Sequence, residues 1–280
     1  MTTCYINGNY RDILESKVSI TDRGFQFSDG IYEVIAVYEN RFVDIDLHLN
    51  RLIKSLNKLK IKINLKVNQI ENISKKIKKL NNLNNGIIYI QITRGDQHPR
   101  DHKFQKGLKP NIIIYSIPKD FKKINSKAKR GVTTSLYPDI RWLRSDIKSI
   151  SLLGNSMAAN YAKEKKNHEA ILYDKKNYIT EGNSSSIWII KNNKCITHPL
   201  NYRILKGCTR HKLISIVKKK KLKFEEKKFS IKALLSADEV FMTSATNFVM
   251  PIIKVDKHKI SDGKPGQITL RLRDEFINQI

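Results

Sequence analysis

Apolar residues along this chain either alternate with polar ones or recur every third and fourth place, and these two periods separate strands from helices. Residues 4–7 and 9–12 flank Gly8 and read as a β-hairpin. Residues 31–38 (I-Y-E-V-I-A-V-Y) are β-branched and aromatic and read as a strand; residues 39–40 turn it back into a second strand over 41–45. Asp46 stands where a helix cap is expected, and Leu49, Leu52, Ile53, Leu56 and Leu59 follow as one apolar stripe at helical spacing. A second helix is predicted over 69–80. Strands are predicted over 87–94 and 111–117, with a polar loop at 95–110 between them.

The pattern then breaks. The stretch P-K-D-F-K-K-I-N-S-K-A-K, from Pro118, is polar with little periodicity and reads as a linker between domains. The chain accordingly divides into an N-terminal domain, 1–118, a linker, 119–129, and a C-terminal domain, 130–280. In the last of these the pattern predicts strands at 132–137, 170–173, 239–242 and 250–255, and a hairpin pairing 186–190 with 194–197 through Asn192 and Asn193. Helices are predicted at 152–166 and 209–220. Strands and helices mix without strict β-α-β alternation, so the fold class is α+β and not a plain doubly wound sheet. No internal repeat is visible.

Composition narrows the function classes. No apolar run approaches the length of a membrane span, and the opening residues carry no basic-then-apolar leader. Cys4, Cys195 and Cys208 are odd in number and in no metal spacing, which reads as reduced thiols in a cytoplasm. The formal net charge of +27 invites a nucleic-acid partner. Against it, the lysines fall in runs at 75–79 and 218–221 with no aromatic residues placed to stack on bases. Solvated helix faces account for them more economically, and a weak, salt-sensitive affinity for polyanions follows from the charge alone. There is no G-x-G-x-x-G and no Walker lysine.

Two residues bring chemistry into the picture. Lys148 lies among Ile147, Ile150, Leu152 and Leu153, whereas most lysines of the chain lie in polar runs. Apolar surroundings favour the deprotonated amine that a lysine nucleophile needs. Glu181 falls in I-T-E-G-N-S-S-S-I, which reads as a tight turn beside small hydroxyl residues. A secluded amine and such a carboxylate are what pyridoxal phosphate chemistry requires: the amine forms a Schiff base with the aldehyde, and the carboxylate holds the proton on the pyridine nitrogen.

Six segments in order strengthen that reading: T-D-R-G-F-Q-F-S-D-G-I-Y-E-V (21–34), T-R-G-D-Q-H-P-R-D-H (93–102), D-I-R-W-L-R-S-D-I-K-S (139–149), T-E-G-N-S-S-S (180–186), L-K-G-C-T-R (205–210) and T-S-A-T (243–246). Together they resemble the fold-type IV pyridoxal phosphate aminotransferases, in particular the D-amino acid aminotransferase family, with branched-chain aminotransferases and aminodeoxychorismate lyases as relatives. The resemblance covers nearly the whole chain. It implies a smaller N-terminal α/β sandwich domain and a larger C-terminal β-barrel-like domain with helices. It implies that Lys148 holds pyridoxal 5'-phosphate and moves the substrate α-proton, and that Glu181 pairs with the ring nitrogen, with Ser185 near the ring. It assigns the phosphate to Arg51, to Leu205, Gly207, Cys208 and Thr209 at a helix start, and to the small-residue loop of Ser244 and Ala245.

The same resemblance makes Tyr32, Arg100 and His102 the grip on the substrate α-carboxylate, with the Arg-x-His loop reaching over from a second copy. A homodimer with composite sites follows. The reaction implied is D-alanine with 2-oxoglutarate giving pyruvate and D-glutamate. The chain departs from the family in a few places. Ala245 replaces a usual threonine, Asn183 and Ser186 have exchanged an amide and a hydroxyl, Cys208 sits in the phosphate loop, and Asp101 adds a negative charge between the grip residues.

Overall fold

The first alternating segments pair as their period requires. In the computed structural model, which describes residues 2–280, β1 (Thr3–Ile6) and β2 (Asn9–Asp12) close a hairpin through Asn7 and Gly8, both at positive φ. A short α1 (Arg23–Phe27) precedes the long β3 (Gly30–Tyr38), which turns into β4 (Arg41–Phe42). The strand predicted over 41–45 stops early. Asp44 adopts a left-handed φ of 51° that no strand continues, and α2 (Ile45–Leu59) starts directly after it. Asp46 lies in the first turn, not at the cap. α3 (Val67–Leu80), β5 (Gly86–Thr93) and β6 (Ile112–Pro118) complete an antiparallel six-stranded sheet of order β2-β1-β6-β5-β3-β4.

The predicted stripe of α2 makes the core of this unit. Leu49, Leu52 and Leu56 are buried with Ile70 and Ile77 of α3 against Ile31, Ile35, Ile88, Ile90 and Ile114 of the sheet. Both helices are lysine-rich on their outer faces, so burial of one face, not intrinsic propensity, holds them.

This unit consists of the chain up to Phe121 together with the strip Ile147–Ser151. The strip is stitched onto β3. The Tyr32 N–H donates to the Lys148 carbonyl (2.9 Å), the Ile150 N–H to the Gly30 carbonyl (3.1 Å), and Ile147 joins the core.

Lys122–Asp146 and Leu152–Ile280 make the second unit. The segment read as a linker is mostly helical: α4 spans Phe121–Arg130. Its lysines mask a short stripe in which Ala128 is buried and Ile124 partly so. β7 (Val132–Pro138), α5 (Leu153–Glu164), β8 (Glu169–Tyr173), β9 (Ile179–Gly182), β10 (Ser186–Lys191) and β11 (Lys194–Thr197) follow. Then come α6 (Cys208–Lys219), β12 (Lys223–Glu226), α7 (Ile231–Leu235), β13 (Glu239–Ser244), β14 (Phe248–Val255), β15 (His258–Lys259) and α8 (Gln267–Ile277).

Eight strands run in the order β12-β11-β10-β13-β14-β7-β8-β9, with β15 on β14; β7 pairs in parallel with both its neighbours. β9, at the end of that path, lies against β10, so the sheet curls back on itself. Trp188, Phe241 and Phe248 are fully buried in this unit. Among the described residues no helix is long and apolar enough to cross a membrane.

Candidate active site

The chemistry-bearing residues fall in both units. In the first, Lys148 is half-buried, its backbone fixed by the bonds to β3 and by donation of its N–H to Ser55 Oγ (3.4 Å). Its Nζ lies 4.1 Å from the centroid of the Tyr32 ring. Tyr32 stacks on Tyr89, which packs on Tyr115, so three aromatic side chains from three strands line one face of the sheet. Burial pushes the Tyr89 phenol well above its ordinary range. The Tyr32 ring covers one side of the amine, backed by Tyr89 and Tyr115.

Arg51 stands on α2, one turn after His48, and both turn onto Glu33 of β3. Arg51 donates from Nε to Glu33 Oε1 (2.7 Å) and from Nη2 to Oε2 (2.9 Å), and His48 Nδ1 lies 2.8 Å from Oε2. Burial alone would raise the Glu33 pKa; the charge and bonds of Arg51 and His48 outweigh it and hold the carboxyl well below its usual range. Nothing in the strand pattern marks Glu33 as a functional position. It fixes the direction of the guanidinium that the family resemblance assigns to phosphate.

Arg100 and His102 lie in the loop between β5 and β6, both on the ring of Phe27: the Arg100 guanidinium carbon is 4.4 Å and the His102 ring 5.3 Å from its centroid. Tyr32, by contrast, rests on Tyr89 and Lys148. Within one protomer the three expected grip residues thus form two groupings.

In the second unit Glu181 sits in β9, not on a turn; the turn follows at 183–185. It is buried, accepting from Arg141 Nη1 at Oε2 (2.7 Å) and from the Leu205 N–H at Oε1 (3.2 Å). Arg141 also holds Asp139 with a two-pronged contact, Nε to Oδ1 and Nη2 to Oδ2, each 2.9 Å, and Thr180 Oγ1 donates to Asp139 Oδ2 (2.7 Å). Burial pushes Glu181 up, and the Arg141 charge opposes this. Burial also works against the Arg141 charge, but Glu181 and Asp139 hold that guanidinium above its ordinary range, so it stays a cation. Arg141 fixes one carboxylate oxygen and leaves the Glu181 headgroup directed.

Ser185 hangs on a second buried carboxylate. Glu169 Oε1 accepts from Ser185 Oγ (2.7 Å), Ser184 N–H (2.9 Å) and Ser184 Oγ (3.3 Å), and burial raises the Glu169 pKa. Gly182 is required here, because a Cβ at that position would meet Ser185 Oγ at 2.2 Å and Glu169 Oε1 at 2.5 Å.

Gly207 caps α6 without any side-chain bond to its first amides, and Cys208 and Thr209 are buried in the first turn. A helix start of this kind suits a phosphate dianion. Ser244 ends β13 and Ala245 opens the turn to β14, where Ser244 Oγ accepts the Asn247 N–H (3.2 Å). Arg273 of α8 braces that turn, donating from Nη1 to the carbonyls of Asn247 (2.7 Å) and Val249 (2.6 Å).

These residues fit pyridoxal 5'-phosphate by the chemistry of their donors. There is an amine against aromatic rings, a buried carboxylate oriented by a cation, and a side-chain-free helix start for the phosphate.

The model of the amino-transferase class IV family matches residues 30–255. The chain is 38% identical to a D-alanine aminotransferase of Staphylococcus haemolyticus over 277 residues, 99% of this chain and 97% of that protein. It superposes on a branched-chain amino acid aminotransferase of Escherichia coli with a TM-score of 0.91 at 21% identity, over 99% of this chain and 93% of that one. A hypothetical aminotransferase from Mycobacterium tuberculosis, in its PLP-bound form, gives 0.86 at 15% identity, over 99% of this chain and 98% of that one. At that identity the structural likeness speaks for the fold alone.

Proposed function

The chain belongs to the class IV aminotransferases, and from that premise we propose that it transfers amino groups between D-amino acids and 2-oxo acids, D-alanine and 2-oxoglutarate giving pyruvate and D-glutamate. The observation that carries this is the 38% identity, over 99% of the chain, to a D-alanine aminotransferase. A branched-chain or aminodeoxychorismate activity is favoured by no residue, and the lysine runs at 75–79 and 218–221 carry no aromatic side chains to stack on bases.

The cofactor is pyridoxal 5'-phosphate, which when bound supplies an aldehyde for the amino group and a ring that takes up the electrons of the broken α-C–H bond. Lys148 Nζ is the amine that would hold that aldehyde, and as a free amine it would take the substrate α-proton and give it back. Glu181, directed by Arg141, is the carboxylate that would hold the proton on the ring nitrogen, with Ser185 near the ring. The phosphate would fall to Arg51, to the amides of Gly207, Cys208 and Thr209, and to Ser244, whereas the Leu205 N–H is committed to Glu181. With Ala245 in place of a hydroxyl residue, that contact is made by backbone. Tyr32 with Arg100 and His102 grips the α-carboxylate, a two-pronged arginine fork matching its geometry. The Arg-x-His loop serves the site of a second copy, and the enzyme is a homodimer of the cytoplasm. The buried free thiols Cys4, Cys195 and Cys208 suit a reducing compartment.

The test is direct. Borohydride reduction of the yellow holoenzyme is expected to fix the label on the peptide containing Lys148, and Lys148→Ala to abolish both colour and turnover. In a coupled assay D-alanine is expected to be consumed. Turnover of L-leucine or 4-amino-4-deoxychorismate with D-alanine untouched overturns the D-amino acid reading.

A further inference from the structure

The loop that carries Arg100 and His102 is built around one guanidinium. Arg23, the first residue of α1, is charged yet buried. Its Nε donates to Asp29 Oδ2 (2.9 Å), Nη1 to the Asp101 carbonyl (2.7 Å) and to Gln97 Oε1 (3.2 Å), and Nη2 to the His102 carbonyl (3.0 Å). Gln97, also buried, donates from Nε2 to the Lys103 carbonyl (2.9 Å) and accepts the Gln105 N–H (3.0 Å). Carbonyls of three successive residues at the loop tip therefore turn inward onto two buried side chains.

The base of this clamp is itself fixed. The Arg23 N–H donates to the Gly95 carbonyl (2.9 Å), and Asp29 is held from the other side by Arg94 through two bonds of 2.7 and 2.9 Å. Phe27, at the far end of α1, offers one ring to three cationic or imidazole groups. The guanidinium carbons of Arg23 and Arg100 lie 4.6 and 4.4 Å from its centroid, and the His102 ring 5.3 Å.

A buried guanidinium is retained only when its donors are met, because each unmet donor costs the full desolvation of that group. Here the acceptors are the peptide carbonyls next to, or belonging to, the two residues that grip the carboxylate. The segment D-R-G-F-Q-F thus sets where Arg100 and His102 start, and the Phe27 ring sets where they lean.

We propose that Arg23 and Phe27 are positioning residues of the carboxylate grip: they preset Arg100 and His102 within one protomer, so that affinity for a carboxylate-bearing substrate is built before substrate arrives. The proposal rests on the reading of Arg100 and His102 as that grip. Preorganisation lowers the cost of ordering two flexible side chains at binding, so its loss falls on KM more than on kcat.

The experiment is a mutant cycle on the holoenzyme, read by D-alanine kinetics and by competitive inhibition with propionate. Arg23→Lys keeps the charge and loses the fork; it is expected to raise the D-alanine KM and the propionate inhibition constant about tenfold each, with kcat within about threefold of the parent. The cofactor absorbance band, which a general loss of fold would move, is expected to stay. In an Arg100→Ala, His102→Ala background, where there is no grip left to position, Arg23→Lys is expected to add nothing. Phe27→Leu, which leaves the hydrogen bonds in place, is read by the same cycle with the same sign, and decides the matter should Arg23→Lys not fold.

If the Arg100–His102 variant has a normal KM, the grip reading fails and this proposal fails with it. If that variant has a raised KM while Arg23→Lys and Phe27→Leu do not, or if their effects add fully to it, only the positioning role is overturned.

Discussion

At the scale of single residues, the second unit buries two carboxylates with opposite companions. Glu181 has a guanidinium, and Glu169 has only hydroxyls and an amide. Removing the Arg141 side chain as leucine leaves Glu181 and Asp139 buried without their cation, and a loss of about 3–5 kcal/mol in urea unfolding is expected. Glu181→Gln keeps the shape but not the charge, and is expected to lower turnover by about a hundredfold or more while the cofactor stays bound. For Glu169 the shift is upward, as it is for Glu181, and hydrogen bonds from Ser184 and Ser185 oppose it without a cation. Burial raises its folded pKa above the ordinary 4.5, so the folded state binds the proton more tightly, and stability contributed by that proton is lost as pH rises from 4.5 through the folded pKa. Glu169→Gln removes this titration. Thermal melts of variant and parent across that range are expected to show the variant gaining on the parent as pH rises; a constant difference would refute it. Lys148 and Glu181 stand out in the sequence because their neighbours are unlike the rest of the chain. Arg141 and Glu169 do not, because Glu181 lies 40 positions from the first and Ser185 16 from the second, and strand pairing in the sheet brings them together.

Among the elements, those with many apolar positions are legible and those with few are not. The stripe of α2 and the runs of β3, β5 and β10 show their period directly. α4 hides a few apolar positions among lysines, so its polarity reads as a linker although packing makes it a helix. The pattern assigns nothing to 267–277, where Ile268, Leu270 and Leu272 alternate as in a strand. The buried set of α8 is instead Thr269, Leu272, Arg273 and Phe276, a helical spacing in which a buried arginine and threonine count as inside. β12 is likewise selected by its parallel partner β11 and not by its own polar sequence K-F-E-E. The loop after β5 depends on one backbone position. Gly95 has a φ of 101°, and a Cβ there would meet the Lys109 carbonyl oxygen at 1.9 Å. Gly95→Ala is therefore expected to cost more than about 2 kcal/mol in urea unfolding, through strain and clash together. It is also expected to raise the D-alanine KM, since the same turn feeds Arg100 and His102.

For the whole molecule, the proposed homodimer raises the question of which copy each proposed grip would serve. Arg100, Asp101, His102, Lys103 and Phe104 are all exposed on the protomer, and Ile20 and Phe25, on the segment that Arg23 ties to this loop, are exposed at 78% and 75%. Exposed apolar side chains beside a rigid, preset loop are what a second copy would cover. A charge of +27 on each chain would oppose such an association at low salt, so a contact between copies would have to be made by shape and apolar area. Composite sites have a consequence that no single-chain site shares. On the proposed assignment a Lys148→Ala protomer would retain its grip and an Arg100→Ala, His102→Ala protomer its amine, and each variant alone is expected to be inactive or nearly so. Dissociated, mixed and reassociated at random, about half of the dimers are hybrids, and each hybrid holds one site with both parts and one with neither. Activity of about a quarter of the parent is then expected from two poor preparations, with the D-alanine KM of the parent. If the grip served its own protomer, no hybrid would hold a complete site, and mixing would recover nothing.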